Sequence, residues 1–166
     1  MRCVTLLAPV LLLVPSAPSA AGDAPLDRAT LRGLKAVNVV LDQLDPEVEK
    51  QGLTRTDLQA RLEARLKDGQ IPLDPSAPDF VGLRVTSVRA GRGALALRGA
   101  FALCITLAVY QPVALSRDQH VRTAAATWDV ESVLMADPKA IRQASMDTVD
   151  ELAGRLASAW REVNPR

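Results

Sequence analysis

Residues 95–115 read LALRGAFALCITLAVYQPVAL. Leu95, Leu97, Gly99, Phe101, Leu103, Ile105, Leu107, Val109, Gln111, Val113 and Leu115 hold the odd positions. The even positions are mostly Ala, with Arg98, Cys104, Thr106, Tyr110 and Pro112 among them. Side chains alternate across a strand, so a pattern this regular predicts a strand whose odd face lies in the core. A straight strand of this length would run about 70 Å at roughly 3.3 Å per residue, more than a small domain spans. The reading therefore expects a bend or bulge at Gly99, a turn displaced toward it, or a break at Pro112. The Ala-rich even face reads as a solvent face or a shallow contact surface.

The flanking sequence supplies the rest of the fold. Upstream, Val81, Leu83 and Val85 alternate with Gly82, Arg84 and Thr86, a second strand, and Ala90–Gly93 reads as a turn. Within 34–44, Val37, Val39 and Leu41 mark a half-buried strand that Asp45-Pro46 turns away. Thr54 and Asp57 fit a capping box, and Leu53 with Leu58 has the spacing of a hydrophobic staple. Leu58, Leu62 and Leu66 then stripe a helix, with Gly69 expected to supply its left-handed end. Ile71–Leu73 reads as a short strand, and residues 74–79 as a loop. Downstream, Arg122–Leu134 alternates with Ala124, Ala126, Trp128 and Val130 on one side. Asp137-Pro138 is expected to start a last helix, Asp as N-cap, striped by Ile141, Val149, Leu152, Leu156 and Trp160. The order β-α-β-β-β-α predicts an α+β two-layer sandwich. Its antiparallel sheet has about four strands, and two helices pack on one face.

The chain opens MRCVTLLAPVLLLVPSAPSAAGDAP. Arg2, the uncharged run Val4–Val14 and the small residues after Pro15 have the layout of a secretory signal peptide. The run is too short for a membrane span of about 20 apolar residues. Ser19 and Ala21 favour a cut after Ala21, while a cut after Gly22 fits nearly as well. Cys3 precedes the apolar run, which disfavours lipidation. The domain reading is thus 1–21 signal peptide, 22–33 a flexible lead-in and 34–166 a single α+β domain. Processing removes Cys3 and leaves Cys104 as the one cysteine of the mature chain, so the fold must hold by its core and not by a disulfide.

At 166 residues with 48% hydrophobic and 23% charged residues, the chain can bury a core and is not of disordered type. A net charge of +1 and five aromatic residues disfavour a nucleic-acid binder. The single histidine excludes a multi-histidine metal site, and no phosphate-cradling glycine loop is present. No cofactor or metal is expected. His120 with Asp118 sits in a turn; it reads as a solvated histidine, with a general base as the alternative. Cys104 reads as a small buried residue. Asp45, Glu47 and Glu49 lack the ordered ligand spacing of a calcium loop. Trp128 and Trp160 read as core anchors. Arg84, Arg89, Arg92 and Arg98 form the one concentrated patch of a single sign, a candidate binding site for an anion.

The chain also resembles a group of small uncharacterised exported bacterial proteins. The resemblance is carried by Gly52-Leu-Thr54 with Asp57-Leu58, Gly69-Gln-Ile71, the Leu103–Leu115 strand with Gln111, Ala126-Thr-Trp128, and Val163-Asn-Pro165. It spans roughly residues 34–166 and implies a fold and an export route, with no activity attached. The element order is similar to small periplasmic domains of envelope-assembly accessory proteins. The expected function is an exported, non-enzymatic binding or envelope-accessory domain, in the periplasm or outside the cell. Its expected partner is an unidentified protein or anionic ligand, with no transmembrane segment after processing. The alternatives are a complex subunit joined by strand addition at a sheet edge, or a small hydrolase using His120 with Asp118.

Overall fold

The computed structural model describes residues 22–89 and 99–165. The expected signal peptide, the Ala90–Gly93 turn and the first part of the long alternation lie outside them. Eight elements follow in chain order: α1 (Pro25–Ala29), β1 (Asn38–Leu41), α2 (Pro46–Glu49), α3 (Arg55–Asp68), β2 (Phe80–Arg89), β3 (Phe101–Leu115), β4 (Asp118–Ala136) and α4 (Ile141–Val163). The strands form one sheet in the order β1-β2-β3-β4.

The fold is α+β, as the element order predicts. Phe101, Leu103, Ile105, Leu107 and Val109 on β3 are buried against the apolar stripes of α3 and α4. Leu58, Leu62 and Leu66 of α3 are fully buried, each worth about 2 kcal/mol relative to exposure. Thr54 Oγ1 accepts the Asp57 amide at 3.1 Å, and the stapling residue Leu53 is buried. Asp57 itself turns outward to Arg142 of α4.

β2–β3 and β3–β4 are antiparallel, but β1 and β2 run parallel, with Val39 opposite Val81. The all-antiparallel expectation is corrected at this pair. α3 lies between the two strands and returns the chain across the sheet, the crossover that a parallel pair requires. The expected strand at 71–73 is reduced to a parallel bridge between Leu73 and Val37.

Gly99 takes φ +80 just before β3, at the expected bend. Pro112 does not break the strand. β2 begins at Phe80, opposite Tyr110, so from Gln111 onward β3 has β4 alone as a neighbour. A proline is tolerated where no ladder bond is required on its open side. Beyond Tyr110, β3 and β4 continue as a largely exposed hairpin.

Three local readings are corrected. Val109 faces Trp128 while Tyr110 faces Ala126, so Thr127 is an extra residue on β4. This bulge puts Ala126 and Trp128 on opposite faces, because one inserted residue reverses the alternation. The left-handed residue after α3 is Gln70, at φ 66, while Gly69 remains right-handed. Gly69 answers to packing: a Cβ there would lie 2.6 Å from the Ala157 Cβ of α4. Finally, α4 begins at Ile141 with no side-chain cap. The Asp137 carbonyl accepts the amides of Ala140 and Ile141, so Asp137-Pro138 forms a turn ahead of the helix.

Residues 22–33 hold α1 instead of running loose, and Leu31 within them is fully buried. Asp23 ties the stretch down. Its carboxylate accepts Arg28 Nε at 2.8 Å and Trp128 Nε1 at 2.9 Å, with Arg155 of α4 at 3.6 Å. Among the described residues, no helix is long and apolar enough to cross a membrane.

Candidate functional site: the bare face of the sheet

Helices cover one face of the sheet. The other face, which no helix covers among the described residues, collects the even residues of β2 and β3 and the odd residues of β4 up to the bulge. Strand register sorts them into rows. Val88, Ala102 and Met135 lie side by side, followed by Thr86, Cys104 and Val133. Val88, Val133 and Met135 are 67%, 70% and 52% exposed. These side chains make an apolar patch across three strands. Beneath it Arg84, Thr106 and Glu131 form a polar row.

A depression of about 190 Å³ lies beside that row, lined by Asp42, Phe80, Gly82, Arg84, Ala108 and Tyr110 among others. Its aromatic wall is the Phe80–Tyr110 cross-strand pair, stacked with centroids 4.8 Å apart and planes 7° from parallel. Its floor requires Gly82, because a Cβ there would lie 2.9 Å from Tyr110 Cε2. Its polar end is the Arg84 Nε–Asp42 Oδ2 ion pair at 2.7 Å. The hydrogen bond to Asp42 and that carboxylate's charge raise the Arg84 pKa further. The arrangement suits a small planar or apolar group stacked near a hydrogen-bonding rim.

The four arginines of the sequence-derived patch are placed differently from one another. Arg84 lies on the bare face. Arg89 lies five residues on, which reverses the face, and it pairs with Glu47 of α2 at 3.4 Å while covering the Phe101 ring. Arg92 and Arg98 lie outside the described residues.

Other candidates resolve locally. Asp118 Oδ1 accepts the His120 backbone amide at 3.0 Å at the exposed hairpin tip, which is turn geometry and not an imidazole contact. Cys104 is a free, half-buried thiol on the bare face, within 4.0 Å of Thr106 Oγ1 and Glu131 Oε2. Asp45 caps α2 and accepts Ser87 Oγ at 2.7 Å, while Glu47 pairs with Lys50. Trp128 is fully buried, and Trp160 donates to the Leu34 carbonyl at 3.4 Å.

β4 is the sheet edge on this side, and part of it is already joined by another segment. The Gly22 carbonyl accepts the Asp129 amide at 3.2 Å, and Thr30 Oγ1 donates to the Thr127 carbonyl at 3.1 Å. Sequence reading could not find the Phe80–Tyr110 wall, since the two residues are neighbours only through the β2–β3 register. Gly82, an isolated glycine in a strand pattern, was its one visible trace.

Fold and face together define an α+β domain whose exposed groups lie on an open sheet surface. No protein-family model matches the chain, and no curated protein matches it by sequence. The solved proteins with a partial structural likeness include three bacterial ones. A PelC dodecamer from Paraburkholderia phytofirmans has 11% identity and TM-score 0.44, covering 74% of this chain and 86% of that one. Rare lipoprotein B from Shewanella oneidensis has 11% identity and TM-score 0.37, covering 75% and 94%. A minor lipoprotein from Acinetobacter baumannii has 16% identity and TM-score 0.29, covering 75% and 91%.

Proposed function

We propose that the chain is an exported envelope protein that acts by binding, docking a segment of a partner protein along the β4 edge and the bare sheet face. The observation that carries this reading is the row of Val88, Ala102 and Met135 beside Val133. There, exposed apolar side chains of β2 and β4 flank the half-buried Ala102 of β3. An extended peptide is the occupant that fits. Gly22 already bonds to the β4 edge through its main chain, and an added strand would extend that pairing. Every second side chain of that strand would fall on the bare face, beside Met135 and Val133. The signal-peptide layout of residues 1–21 supports the export half of the proposal.

Site-specific photo-crosslinking in the native cell tests it. A crosslinker at Val133 is expected to trap one discrete protein, and the same group at Glu151, exposed on α4, is expected to trap none. Equal labelling from both positions, or none from Val133, would overturn the docking surface.

A further inference from the structure

The sequence allows processing after Ala21 or after Gly22, and the structure distinguishes the two. Gly22 stands at φ +86, a backbone that side-chain-bearing residues rarely adopt. A Cβ on it would lie 2.5 Å from the Asp129 carbonyl oxygen and 2.6 Å from Asp129 Cγ. The Gly22 nitrogen shares that Cα, so it lies within about 5 Å of the Asp129 carboxyl carbon by bond geometry. The next residue, Asp23, is held by Arg28 and Trp128, which fixes Gly22 against β4 from the other side. A cut after Gly22 would discard the carbonyl that accepts the Asp129 amide.

We propose that maturation cuts the Ala21–Gly22 bond, and that the α-ammonium released on Gly22 pairs with the Asp129 carboxylate. The proposal rests on the export reading. The step is a hydrolysis by a signal peptidase. Water breaks the Ala21 C–N bond, leaving a carboxylate on Ala21. The Gly22 nitrogen keeps its own hydrogen and gains two protons, one more than the neutral amine, giving –NH₃⁺.

Asp129 is suited to receive that charge. Burial raises its pKa, and the Glu131 and Asp27 carboxylates add to the rise. Among the described residues it has no cationic partner. The arginines of the adjoining helices are engaged, Arg28 with Asp23 and Glu162, and Arg155 with Asp23. The uncut chain offers a neutral amide where the cut chain offers a cation. An α-amine ordinarily titrates near about 7.8, and a carboxylate partner raises that value. The gain is therefore full below about pH 7.8, down to the range where Asp129 itself takes up a proton, and is lost as pH rises through the higher folded value of the amine.

Two measurements test this. Chains made to begin at Gly22 or at Ser19 differ in where the amine lies. The Gly22 chain is expected to melt about 3 °C higher at pH 7. The gap is expected to close at pH 10 and in the Asp129→Asn variant of both chains. Equal melting at pH 7, or a gap that survives Asp129→Asn, would overturn the pairing. The intact mass of the exported protein is expected to place its start at Gly22, and a start at Asp23 would overturn the assigned bond. An exported chain retaining residues 1–21 would overturn the cut, and a chain found only in the cytoplasm with those residues attached would overturn the export reading itself, on which the melting comparison does not depend.

Discussion

The indole N–H of Trp128 donates to the Asp23 carboxylate at 2.9 Å, joining a fully buried side chain of β4 to the residue that precedes α1. Burial alone would raise the Asp23 pKa. Hydrogen bonds from Arg28 and Trp128, with the charges of Arg28 and Arg155, outweigh it and hold the carboxyl below its ordinary value. Asp23→Ala leaves the buried indole donor without an acceptor and frees residues 22–31 from the body. The expected cost is about 2–3 kcal/mol, read as a lower urea midpoint at pH 7. An unchanged midpoint would show that the Asp23 contacts contribute nothing to stability.

Gly69 and Ala157 make a second close approach, between the end of α3 and the middle of α4. Gly69→Ala forces the two helices apart by a methyl group where both backbones are packed. The usual gain from replacing a flexible glycine in a right-handed position is reversed here. A loss of about 1–3 kcal/mol is expected on thermal unfolding, and a stabilised variant would refute the packing argument.

What the sequence revealed followed from local patterns. The odd face of β3 from Phe101 to Val109, the stripe of α3 and the Thr54 cap each depend on spacings within a few residues and occur as read, while Gln111, Val113 and Leu115 continue the alternation outside the core. What it concealed depends on distant partners. Asp23 and Trp128 are 105 residues apart, so no local pattern could show that 22–33 is anchored. Thr127 looks like an ordinary strand residue until β3 supplies the register that makes it a bulge. Arg84 and Arg89 looked like one patch because they are close in sequence, yet an odd spacing on a strand puts them on opposite faces. The bare face was legible only as a run of small even residues; its stacked aromatic wall arose from register.

Gly82 sets that wall. Gly82→Ala is expected to displace the Tyr110 ring, since a Cβ would meet Cε2 at 2.9 Å and Cδ2 at 3.3 Å. Tyr110 is the single tyrosine of the chain, so its ring NMR signals report the shift without assignment ambiguity. Stability should fall by about 1 kcal/mol, with the fold intact. Tyrosine signals that stay in place would mean that the Phe80–Tyr110 stack does not depend on the glycine.

Ser145 is fully buried on α4, and its hydroxyl has no hydrogen-bond partner among the described residues. An unpaired buried hydroxyl carries a desolvation cost that alanine avoids, and alanine is also the better helix former. Ser145→Ala is expected to stabilise the protein by about 1 kcal/mol, seen as a higher denaturation midpoint. A loss of similar size would reveal a partner for the hydroxyl.

Asp150 of α4 links the two large helices by charge. Its carboxylate accepts Arg61 Nε at 2.7 Å and Arg65 Nη2 at 2.6 Å, both from α3. The Arg65 hydrogen bond lowers its pKa most, burial opposes, and Arg61 adds to the fall, bringing 3.8 down to about 2. A folded value below the unfolded one means that the stabilisation is present above about pH 4 and is lost as pH falls toward 2. Asp150→Asn should therefore lower the urea midpoint at pH 7, and the gap to the parent should narrow steadily between pH 4 and pH 2. Asp23 titrates in the same direction, but it is common to both chains and cancels in the difference. A gap that stays constant down to pH 2 would assign the effect to side-chain shape, and leave the Asp150 contact without an electrostatic component.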